Sequence, residues 1–454
     1  MNLIALLPGV HRTRLACAVA LAFLVGPAWA DTFWVTSLND GGAGSLREAV
    51  NRANANPGPD VVRFKLDGLI ELSSPLLIKD DVRIDGSEQR VVVSGGGAVS
   101  LVVHAEPSKF LELARLTLTR AAASASMGGA VLARGNLRLT DVLFTDNLAP
   151  VGGAVYSSGA LLQVINSTFA DNQALSWGGA IAVSPTTQAT IVHSTFVNNQ
   201  AAQFGGALFQ NPIYAAALQP VAHSGAGPAM GAITVRNSVL SGVSAQGNCS
   251  SISNRILDGG GNLSSDDSCP FTAAKGSINN LNPMLSALAD HGGPTRSFAP
   301  LQGSPLVDTG VDGLAQEPLG ATLLTDQRGQ NRNAGLRVDR GAVEVQPRER
   351  SADTSALSLG SASPAALAIL AAAPAAPAVT AVAIATSAST TTEAAKPARK
   401  AKAKATRKAS QDKSTDKLAD KLSDKSTIKL ADKPSAETAA NARLTLAQGR
   451  RITP

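Results

Sequence analysis

One phrase occurs three times in this chain: FTDNLAPVGGAV from residue 144, FADNQALSWGGAI from 169 and FVNNQAAQFGGAL from 196. Taking the aromatic as marker, Phe144, Phe169 and Phe196 are 25 and 27 residues apart, and Leu118 stands 26 before the first. A period of this length marks a stacked repeat, in which each unit buries its apolar side against its neighbours. Seven and five residues before the markers stand Leu111 and Leu113, Leu137 and Leu139, Leu162 and Val164, and Ala189 and Ile191. That two-residue alternation is a strand signal, not a helical one. Units this short leave no room for a crossover helix, and the leucine-rich frame L-x-x-L-x-L-x-x-N is absent. The expected fold is therefore all-β, a right-handed parallel β-helix with one coil per repeat.

The remaining fixed positions suit turns. Asn147, Asn172 and Asn199 follow the markers by three residues. Asn accepts left-handed turns and can bond to its copy one strand spacing away in a ladder. Gly128-Gly129, Gly152-Gly153, Gly178-Gly179 and Gly205-Gly206 supply a bend where a Cβ would obstruct. The apolar residues just before them, Met127, Val151, Trp177 and Phe204, are expected to point inward. Ile233, Val235 and Leu240 fit a fifth coil after an insertion at 211 to 231. Together the FxxN and GGA motifs resemble the repeats of polymorphic outer-membrane proteins and other pectin-lyase-like β-helices, a likeness of architecture more than of activity.

Residues 1 to 30 combine a basic stretch, a short apolar run and Ala28-Trp29-Ala30, the pattern of a cleaved secretory signal. A transmembrane start is the rival, disfavoured by the short run and its Gly-Pro. With Cys17 in the leader, Cys249 and Cys269 are the thiols of the exported chain, and an even pair in an oxidising compartment reads as a disulfide. Closing that roughly twenty-residue loop contributes about 3 kcal/mol. No cofactor or metal site is indicated. Over residues 31 to 60, Leu46, Ala49, Val50 and Ala53 recur at helical spacing, with Ser45 and Glu48 as a capping box. Such an amphipathic helix can cover the open end of a β-helix, whose strand edges would otherwise pair with another chain. This stretch resembles the N-terminal CSLREA motif of secreted bacterial proteins, with Gly44 in the Cys position.

Coils are expected over 61 to 280. Beyond them, NPMLSALADHGGPTRSFAPLQGSPLVDTG, TDQRGQNR and VDRGAVE, within 281 to 345, are similar to the choice-of-anchor Q domain. That resemblance implies a domain closing a β-helical surface protein and specifies no reaction. Residues 346 to 392 read as an Ala-, Pro-, Ser- and Thr-rich linker, and 393 to 454 as a disordered Lys-rich tail. The tail holds 16 Lys and Arg against 7 Asp and Glu, a net of +9. The whole chain is +6 and the leader's Arg12 and Arg14 add +2, so residues 31 to 392 sum to about −5. The tail is suited to anionic envelope components, with membrane association through it conceivable and nucleic acid disfavoured.

Parallel β-helices often act on polysaccharides, so paired carboxylates are the first chemistry to seek. Asp146 and Asp171 share a frame position that ends at Asn198, which favours a turn role. Asp80, Asp81 and Asp85 suit an early turn, and Asp266 and Asp267 fall in the disulfide loop. A polar stripe three residues before each marker, Arg115, Asp141, Asn166, His193 and Asn237, should form an outer column, either a sugar groove or a solvated strand edge. Trp177 could stack on a sugar ring, although its equivalents favour burial. Asp326, Arg328, Arg332, Asp339 and Glu344 are charged enough for an active cluster, but salt bridges tying a cap together suit them better. No catalytic, cofactor-binding or metal-binding residue is assigned. The sequence reads as an exported, non-catalytic cell-surface or extracellular scaffold binding glycan or envelope components. A polysaccharide lyase or glycoside hydrolase acting on acidic polysaccharide is the alternative.

Overall fold

A computed structural model of the chain describes residues 30–349, apart from 88, 211–229, 243 and 252–253. The leader, most of the insertion, the linker beyond 349 and the basic tail lie outside the described residues. What is described is a parallel β-solenoid of about 8 turns. Its strands form parallel sheets of nine, eight and seven strands, with a fourth of three. A central coil shows the order: Leu161–Ile165 in the nine-stranded sheet, Thr168–Ala170 in the eight-stranded, Gln173–Trp177 in the short sheet and Ile181–Val183 in the seven-stranded.

The repeat frame becomes columns of side chains. Leu113, Leu139, Val164, Ile191 and Val235 stand in register down the nine-stranded sheet, all buried. The marker column runs Ile70, Val93, Leu118, Phe144, Phe169, Phe196 and Leu240. Its three Phe rings stack face to face at 4.9 and 4.8 Å, within 7° of parallel. The Asn ladder is present: Asn147 Nδ2 donates to Asn172 Oδ1 and Asn172 Nδ2 to Asn199 Oδ1, each at 2.8 Å. The left-handed residue at this turn is the one before it, Asp146, Asp171 or Asn198, with φ of 57°, 55° and 54°. Each Asn is instead buried, its amide also reaching a carbonyl of the preceding coil. At the glycine bend Gly152 and Gly178 have φ of 65° and 66°, while a Cβ on Gly153 would come within 2.1 Å of the Gly179 carbonyl oxygen.

The N-terminal helix, α1 (Leu46–Ala55), covers the first coil. Ser45 caps it by accepting from the Glu48 amide at 3.2 Å, and Leu46, Ala49, Val50 and Ala53 join the main apolar core. Cys249 and Cys269 are bonded, with Cα atoms 4.9 Å apart, tying an edge strand of the seven-stranded sheet to the loop after the last coil. Among the described residues no helix is long and apolar enough to cross a membrane.

The segment 281–345, expected to close the β-helix, runs back along its flank as a strap of short bridges and turns. Arg340 ties it to the last coils through the carbonyls of Asn262 and Gly276, at 3.0 and 2.9 Å. Further back, Leu323 covers outward-facing Ile165 and Val192, and Glu317 pairs with Arg138 at 2.9 Å. Asp290 pairs with Arg90 at 2.5 Å, 200 residues away in sequence.

Candidate functional site

The polar stripe corrects the sequence expectation most sharply. Arg115, Asp141, Asn166, His193 and Asn237 do form one column, all left-handed with φ between 44° and 55°, at the bend between the nine- and eight-stranded sheets. It is no solvated edge: Asn166, His193 and Asn237 are buried under the strap. Asn166 donates to the Thr325 carbonyl and accepts from Arg332, both at 2.8 Å. Asn237 bonds Val311 through both ends of its amide and approaches His193 Nε2 at 3.0 Å. Two hydroxyls of the facing sheet complete the seam, Thr168 donating to Gln327 and Thr195 accepting from the Ala342 amide.

The strap's charged group supplies the other half. Arg332 is fully buried and donates to the carbonyls of Gly341 and Ala342 at 3.1 and 3.0 Å, with Glu344 at 3.7 Å. Arg328 pairs with Asp326 at 2.9 Å and with Glu349 at 2.6 Å. The Asp326 carboxylate receives the amides of Arg328, Gln330 and Glu344. Asp339 accepts from Asp308 and Val345 amides at 2.7 Å. Burial pushes the Asp141 carboxyl up to about 7 against the pull of Arg115, and burial together with Asp339 pushes Glu344 up to about 8. Burial holds His193 well below the usual histidine range. Shifted groups of this kind often mark active sites. Here they face one another across a closed interface, so the arrangement is a lock between strap and coils.

The other carboxylates named from sequence are turn and surface ligatures. Lys109 bridges Asp80 and Asp81, while Asp85 takes Arg83 at 3.2 Å and Arg115 at 2.6 Å. Asp266 accepts from the Asn248 amide, and Asp267 is exposed. Asp146 and Asp171 stand exposed on successive coils, and Asp171 is raised by partial burial with Asp146 adding to it.

The open surface carries a different feature. Val151, Trp177 and Phe204, expected inside, stand in register on the outside of the solenoid and pack with Tyr156, Ala182 and Phe209 on the outer face of the seven-stranded sheet. Three residues separate Ala174 from Trp177 and Ala201 from Phe204, so strand alternation turns both aromatics away from the side of the buried alanines. Ala149 and Val151, two apart, pair with the longer spacing through a register shift. Trp177 lies 5.6 Å from Phe209, its indole N–H held by Gln203 at 2.9 Å, and Phe204 is 48% exposed. Beside it lies a groove of about 300 Å³, lined by Gln173, Leu175, Gln200, Ser244 and Gln246. Sequence reasoning had passed over these glutamines, although the recurrence of FxxNQ at Gln173 and Gln200 was a signal for them.

Of the repeats, residues 166–184 match the Chlamydia polymorphic membrane protein repeat. No curated protein matches the chain.

Proposed function

We infer that this protein is an exported cell-surface scaffold that holds glycan or other envelope components without transforming them. The observation that carries this reading is the outward-facing pair of Trp177, partly exposed, and Phe204, 48% exposed, both packed on the fully buried Phe209 as a small adhesive patch on a rigid rod. The likeness of one coil to a polymorphic membrane protein repeat supports the surface location. The ionisable groups with the largest shifts are engaged in the strap seam, which favours binding over acid–base chemistry. The test is a glycan array probed with the leader-less protein, beside a reducing-sugar assay on uronate polymers. Capture without new reducing ends is expected. Released reducing ends would make the protein a depolymerising enzyme, and capture of nothing would end the glycan reading.

The basic tail supplies a second, weaker grip. Its +9 attracts polyanions over a range screened to roughly 10 Å at 0.1 M salt. Deleting residues 393–454 should weaken co-sedimentation with anionic vesicles, most at low salt. Equal sedimentation of full-length and truncated protein would remove this role.

A further inference from the structure

We propose that the groove beside Trp177 binds an uncharged oligosaccharide, an assignment that rests on the glycan-binding reading above and names its site and ligand class. The groove follows two successive coils. On the first, Gln173, Leu175 and Trp177 lie along one strand; on the next, Gln200 and Phe204 are their register partners at the two ends. Gln173 and Gln200 are therefore two exposed amides one strand spacing apart, roughly 4.8 Å. Trp177 and Phe204 stand just beyond that lining, four residues along the strand and roughly 13 Å from the amides, stacked with Phe209. Leu175, 54% exposed, bridges them, and Ser244 and Gln246 form the far wall.

This combination selects for chemistry as well as shape. An amide both donates and accepts, as a sugar hydroxyl does, so paired glutamines can engage vicinal hydroxyls without any net charge. Leu175 is the groove's exposed apolar surface and suits the C–H face of a pyranose, while Trp177, its N–H satisfied by Gln203 and its ring stacked on Phe209, stands two residues beyond as a nearby reporter. Among the described residues no Lys or Arg lines the groove, so a uronate or sulfated polymer would find no cation there to pair with. Asp171, two residues before Gln173, and Asp146 on the coil before are exposed and would repel such a polymer. The ligand that fits is neutral.

The leader-less full chain can be titrated by fluorescence, because Trp34 is the other tryptophan outside the leader and Trp34→Phe isolates Trp177. Cellohexaose and maltohexaose serve as neutral probes and a galacturonate hexamer as the acidic one. At least one neutral hexamer should give a saturable signal, and Gln173→Ala with Gln200→Ala should weaken it about tenfold, the loss expected for two hydrogen bonds. Both glutamines are exposed, so an unchanged melting temperature will show that the fold is intact. The groove assignment is overturned if neither neutral hexamer binds, if the acidic one binds as tightly, or if the double variant binds like its parent. Array capture that survives the double substitution would leave the scaffold reading standing and remove the groove alone.

Discussion

Replacing Phe169 with Asp should destabilise the solenoid by more than about 4 kcal/mol, whereas Asp at Gln173, four residues on, should leave the melting temperature almost unchanged. Phe169 is completely buried between Phe144 and Phe196, and its ring makes two stacked contacts. Each such pair contributes roughly 0.5–1.5 kcal/mol beyond the area it buries. The substitution removes both, opens a cavity and places a carboxyl where no donor can reach it, and each of these penalties is severe alone. Because each coil buries its apolar face against its neighbours, loss at one coil propagates to those on either side. Gln173 projects into water from the same coil, and its exchange touches none of this. Thermal denaturation of the two variants decides the matter, and similar melting temperatures would refute the marker column as the spine of the core.

The second large effect is expected at Arg332. Truncation to Ala removes a fully buried cation that bonds Asn166 and two carbonyls of the strap, and takes the nearby positive charge from Asp339 and Glu344, while Asp326 keeps Arg328. Breaking a buried charge network from one side costs about 3–5 kcal/mol. Unlike Phe169→Asp, the damage should be local. Amide exchange should accelerate from residue 281 to 345 and around Asn166, His193 and Asn237, while the strands carrying Phe144 and Phe196 stay protected. A strap as protected as in the parent protein would show that Arg332 is not the keystone of the seam.

These two sites also mark where the sequence could be read and where it could not. The Phe column, the Asn ladder and the glycine bends were legible because residues adjacent in space are copies of one another 25 or 27 positions apart. Even there the left-handed turn falls on Asp146 and Asp171, one residue earlier than assigned, because the Asn side chain is committed to the ladder. Trp177 and Phe204 were misplaced because one extra residue between each and the buried alanine before it changes its facing without altering the apolar pattern. The seam was invisible for another reason. Its contacts join Asn166 to Arg332 and Thr195 to Ala342, across 166 and 147 residues, with each pairing made once. A periodic signal cannot report a partner that never repeats.

That long return path also imposes an order of assembly. Bonds between the central coils close intervals of 25 to 27 residues, and the strap's bonds to Asn166 and Thr168 intervals of 159. With each doubling of a loop adding ~0.6 kcal/mol, the strap begins at a disadvantage of roughly 1.6 kcal/mol if the chain is still unstructured. Stacking the coils first shortens the search, so the rod grows before it is fastened. During that interval Asn166, His193 and Asn237 face water, and a column of leucines in their place would invite two unfinished rods to stick together. Polar residues on the covered flank let the unfinished rod wait in solution until its own C-terminal segment arrives.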